Sequence, residues 1–109
     1  MNLNSAVYHL YSSPQPIYQY RQNLSMELLD PLYQYEIQQN SILIEIPNIV
    51  DLICNVSCNC RYEIMSGDEL LKNTVLVKRY KKVYIKVYSH SFRLSFDVTL
   101  VKPMIKSSL

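Results

Sequence analysis

A chain of 109 residues, 49% apolar and 18% charged, can bury one core and offset the entropy of ordering its backbone, which excludes a disordered chain and argues for one domain. Its single glycine, Gly67, all but excludes phosphate-cradling loops, nucleophile elbows and dinucleotide fingerprints, which need glycine wherever backbone approaches a ligand closely. The net charge of +2 hides a gradient, with −3 over residues 1–50 and +5 over residues 51–109.

Residues 1–15 have neither the basic start nor the continuous apolar stretch of a secretory signal, and no run approaches the length of a membrane span. They are read as an N-terminal arm ahead of a single β domain over residues 16–109, in a soluble, intracellular protein. Two similar segments follow, PIYQY at 16–20 and PLYQY at 31–35. Proline is tolerated at the first residue of a strand, and period-2 alternation then places Tyr18 with Tyr20, and Tyr33 with Tyr35, on one face. Five matching residues are too few for a solenoid repeat. Tyrosine brings large contact area at low entropic cost, so these four rings are candidate interface residues.

SILIEI (41–46) alternates, Pro47-Asn48 marks a turn, and IVDLICNV (49–56) places Val50, Leu52, Cys54 and Val56 on one side. CNCRYEI (58–64) alternates as well. Cys54, Cys58 and Cys60 form C-x3-C-x-C, a weak metal pattern because zinc usually takes four ligands and His90 lies thirty residues beyond. The expectation is three free thiols facing the core as small apolar groups, with no metal and no cofactor. Ser66 followed by Glu69 has capping-box spacing, which predicts one short helical turn near residues 67–72.

KVYIKVY (82–88) and SFRLSFDVTL (91–100) alternate strictly. As a hairpin around Ser89 and His90 they would join Val83, Ile85 and Val87 to Phe96, Leu94 and Phe92 on one face. The other face would then gather cations and tyrosines: Lys82, Tyr84, Lys86, Tyr88 and Arg93, with Lys78, Arg79 and Lys81 just before them. That composition binds phosphates through cations and bases through stacking, and it would also attract an anionic membrane. The solvated face of an edge hairpin has the same pattern, since lysine on an edge blocks aggregation.

The pattern as a whole predicts an all-β protein, a small antiparallel β-sandwich or partly open barrel. Its expected inward residues are Ile42, Ile44, Ile46, Val50, Leu52, Cys54, Tyr62, Ile64, Val83, Ile85, Val87, Phe92, Leu94, Phe96 and Val98. His9 and His90 are the only imidazoles, and no nucleophile–base–orienter arrangement surrounds them, so no enzyme and no small-molecule substrate are expected. The leading expectation is a non-catalytic module for protein–protein interaction or self-association. Abundant Asn, Ile, Tyr and Lys beside scarce Gly and Arg is compatible with a virus-encoded accessory, matrix-like or structural protein. The alternative is nucleic-acid or anionic-membrane binding through residues 78–93.

Overall fold

The computed structural model describes residues 17–101, with side chains from 19 to 100; the expected N-terminal segment lies outside them. Among the described residues nine strands form, in chain order: β1 (Ile17–Ser25), β2 (Gln34–Gln38), β3 (Ser41–Ile46), β4 (Leu52–Cys58), β5 (Tyr62–Ser66), β6 (Glu69–Leu71), β7 (Val75–Leu76), β8 (Val83–Val87) and β9 (Arg93–Val101). They build two antiparallel sheets, of order β1-β9-β4-β7 and β2-β3-β8-β5-β6. The sheets face each other as a sandwich and do not close into a barrel.

Alternation explains the middle of each sheet. In β3 and β8, Ile42, Ile44 and Ile46 pair with Val87, Ile85 and Val83, and all six are 1% exposed or less. Leu94, Phe96 and Val98 of β9, with Phe92 just before it, meet them from the opposite sheet. Residues 82–100 therefore do not form a hairpin: β8 and β9 lie in different sheets. The expected apolar partners share one core, but they meet face to face across the sandwich rather than side by side in one ladder.

In β4 the expected inward set is corrected by a bulge. Cys54 pairs with Asp97 and Ser57 with Ser95, a register shift of one residue, and Asn55 takes a left-handed φ of 53°, which asparagine adopts more readily than most residues. The extra residue reverses which side chains face the core. Ile53 and Val56 are buried, whereas Leu52 and Cys54 are only partly so. Tyr62 is also half-buried, its hydroxyl donating to Asn73 Oδ1 at 2.8 Å.

No helical turn forms at 67–72. Ser66 pairs with Glu69, and Gly67, at φ 59°, is the first central residue of a two-residue hairpin connection, where a II′ turn requires a positive φ. A 3-10 turn occurs instead at Val77–Arg79. No helix among the described residues is long and apolar enough to cross a membrane.

Candidate functional site

β1 and β2 are edge strands joined by residues 26–33, and β6 and β7 are edge strands joined by residues 72–74, so each connection links the two sheets along one side of the sandwich. The connection 26–33 runs between β1 and β2 and seals the first side. Asp30 shapes it by accepting at Oδ1 from the Leu32 amide (2.9 Å), while its carbonyl accepts from the Tyr33 amide (2.9 Å). Met26 and Leu29 pack on the core. Tyr33 is 4% exposed, edge-on to Phe96 with ring centroids 6.1 Å apart. Burial pushes its phenol well above the usual range, and nearby Tyr20 and Asp30 add to the rise.

Above this seal the side is apolar but open. Tyr35 and Ile37 pair with Ile44 and Ile42, so they continue the core-facing side of their sheet, yet they are 49% and 53% exposed. Tyr20 pairs with Val98 and is likewise half-exposed. Leu28 and Leu32 stand exposed on the connection. The five account for all but two of the exposed large apolar residues described, the others being Ile49 and Leu70. The four candidate tyrosines thus separate: Tyr33 is internal, Tyr20 and Tyr35 are at the surface, and the Tyr18 side chain lies outside the described residues. Ile37, Leu28 and Leu32 were not among the sequence candidates. The signal for Ile37 was its place in the Tyr33, Tyr35, Ile37 alternation.

Charge along the two edges is sparse and opposite. On the outward face of β1, Arg21 lies 3.0 Å from Asp97 Oδ1, and Asp97 also accepts from Asn55 Nδ2 at 2.8 Å. On the outward face of β2 stands Glu36, paired with Leu43. A cavity of about 740 Å³, lined by residues 23–28 and 90–95, opens at the end of β1 and includes Leu28 and the exposed His90.

The expected basic surface is divided among three places. Lys78, Arg79, Lys81 and Lys82 cluster around the 3-10 turn, where Lys78 Nζ donates to Asn48 O (3.0 Å) and lies 3.5 Å from Asp51. Tyr84, Lys86 and Tyr88 face outward from the five-stranded sheet. There the register sets Glu45 beside Tyr84 and Glu63 beside Lys86, and Lys82 reaches Glu45 at 3.9 Å. Arg61 and Lys86 both stand over the Tyr88 ring, 4.5 and 5.2 Å from its centroid, and the Tyr88 hydroxyl donates to Glu63. That bond, with lesser help from desolvation, raises the Tyr88 phenol pKa. Arg93 belongs to the other sheet, on the opposite face of the sandwich.

The three cysteines are free and partly buried; Cys58 and Cys60 pack against the core as expected, whereas Cys54 does not and lies beside Asp97. Among the described residues no group of three or more His, Cys, Asp or Glu side chains could hold a metal ion. Compared with protein-family models, curated proteins and solved structures, the chain finds no match.

Proposed function

We propose that this chain is a non-catalytic assembly module that binds a second copy of itself through the β1/β2 side. The observation that carries this reading is the coincidence, among the described residues, of two sheet edges without a neighbouring strand and five of the seven exposed large apolar side chains. Open edges present unpaired N–H and C=O groups that another strand can satisfy, and β1, nine residues long, has no proline, lysine or bulge to block it.

The match between the edges favours a second copy over an unrelated partner. In an antiparallel contact between β1 of one copy and β2 of the next, setting Arg21 opposite Glu36 also sets Tyr20 opposite Ile37 and Gln22 opposite Tyr35. Gln19 then faces Gln38, and Asn23 faces Gln34. One register therefore combines opposite charge with apolar and amide neighbours, the pairs that stabilise adjoining strands. The contact uses different surfaces on the two copies, so association proceeds past the dimer unless rotation closes a ring. A small structural or accessory protein, of the kind the composition suggests for a virus, fits such an assembly. The polyanion-binding alternative is less well supported, because Glu45 and Glu63 lie among the cations of the outer face.

Sedimentation velocity over a wide concentration range tests the reading. The expected result is a weight-average mass that climbs with concentration, is held at the monomer by Ile37→Lys, and is unaffected by Leu70→Lys on the opposite side. A chain that stays monomeric at the highest soluble concentration overturns it.

A further inference from the structure

The corner between β4 and β5 places two thiols together. The β4 bulge turns Cys58 toward the core side, where it pairs with Leu94, and the chain then crosses to the other sheet through Asn59, Cys60 and Arg61. Cys58 Sγ and Cys60 Sγ are 3.3 Å apart. Cys54 faces away, beside Asp97.

The backbone holds this geometry from both sides. Asn59 exchanges two bonds with Arg93: its amide donates to the Arg93 carbonyl (3.3 Å), and its side-chain Oδ1 accepts from the Arg93 amide (2.7 Å). Two residues on, the Arg61 carbonyl accepts from the Tyr88 amide at 2.9 Å. The short C-x-C link is therefore pinned to β9 at its centre and to the residue after β8 at its exit. Bonding the sulfurs at the disulfide length of about 2.05 Å needs a further approach from the 3.3 Å that separates them.

We infer that Cys58 and Cys60 form a site of reversible two-electron oxidation, closed to an intrachain disulfide by a peroxide or a low-molecular-weight disulfide while Cys54 stays a thiol. With hydrogen peroxide, the Cys58 thiolate attacks one peroxide oxygen and the O–O bond breaks. This gives the sulfenic acid and hydroxide, which takes up a proton as water. The Cys60 sulfur then attacks the Cys58 sulfur, the S–O bond breaks, and the sulfenic oxygen leaves as a second water with the Cys60 proton. Overall, two thiols and one peroxide give one disulfide and two waters. Burial, followed by the contact with Cys58, pushes the Cys60 thiol up to about 11, which disfavours it as the initiating thiolate. This site is separate from the β1/β2 side, so the two readings stand or fall independently.

The test is thiol counting by intact mass on the full chain, with alkylation in denaturant before and after one equivalent of hydrogen peroxide. The expected reduced protein takes three adducts. The oxidised protein takes one, is lighter by two hydrogens, stays a single chain on a non-reducing gel, and returns to three adducts with dithiothreitol. Cys54→Ser should go from two adducts to none. Because the folded corner pre-aligns the thiols, closure in the native chain should be at least about tenfold faster than in urea. Three adducts after oxidation, an oxygen added without a cross-link, a disulfide between chains, or equal rates in native and unfolded chains would each overturn the inference. These readouts on the natural sequence do not depend on whether Cys58→Ser or Cys60→Ser folds.

Discussion

On one side of the sandwich the sheets end in strands of nine and five residues; on the other they end in strands of three and two. The same transverse rows reach both sides. In one sheet Tyr20, Val98, Ile53 and Val75 lie in line, running from 44% exposed at Tyr20 to 3% at Val75. In the other, Tyr35, Ile44, Ile85, Ile64 and Leu71 do the same, from a half-exposed tyrosine to a partly buried leucine. The short side is closed by the brief link 72–74 between β6 and β7, with charge close by at Glu69 and Lys72. The long side is sealed only below its rim, by Met26, Leu29 and Tyr33. Short, charged edges resist further pairing, and long ones with an apolar rim invite it. The asymmetry therefore separates a side with short, charged edges from one with long, apolar edges, the side proposed above to receive a strand.

The contrast can be broken most forcefully at Tyr33. Tyr33→Ala should cost about 3–5 kcal/mol, as for other large aromatic truncations in a core. Tyr62→Ala, half-buried on the short side, should cost less, and urea denaturation giving the reverse order would show that the long side is not sealed by this ring. Tyr33 also leaves an alkaline signature. Its folded pKa is raised above the unfolded value, so its contribution is complete below about pH 10 and is lost above it, as the unfolded chain releases a proton that the folded one keeps. Above pH 10 this steepens the fall in stability by up to about 1.4 kcal/mol per pH unit, and Tyr33→Phe should remove that increment.

On the short side the sensitive point is backbone rather than packing. A Cβ at Gly67 would meet nothing within 4 Å, so Gly67→Ala should cost only its left-handed strain, about 1–2 kcal/mol by denaturation. The smallest effect sharpens the long side. Glu36→Arg should weaken self-association by about 0.2–1 kcal/mol, and adding Arg21→Glu should restore it in the proposed register. Sedimentation showing no recovery in the double variant would rule that register out.

Much of this fold was legible because strict alternation in 41–46, 83–87 and 92–98 coincides with burial on one face. Alternation does not say whether two such segments are neighbours in a ladder or opposed across a core, so it is equally compatible with a hairpin of Val83–Val87 and Phe92–Phe96 and with the facing sheets that form. At Ser66 and Glu69, a spacing of three serves a capping box and a two-residue hairpin equally, and the glycine between them favours the hairpin. Asn55 carries the β4 bulge, yet it reads as an ordinary polar position until the partner strand is known. The exposed rim was the least visible feature. Tyr33 and Tyr35 share a face, and only the placement of β2 at a sheet edge, with Tyr33 in the connection that leads to it, makes one a core residue and the other a surface residue.

The β1·β9 ladder, joining residues 17–25 to 93–101, has a consequence for how the chain reaches its native state. Among the described strands, the first to leave the ribosome finds its only neighbour in the last, and β4, which has only the two-residue β7 before then, gains its longer ladder from the same strand. Contacts of such long sequence separation are reached slowly, because loop closure must precede the stabilisation they bring. Until β9 arrives, β1 has no ladder of its own, and its backbone is open on both edges. The strand proposed to meet a second copy in the finished protein is therefore also the one left longest without a partner during synthesis.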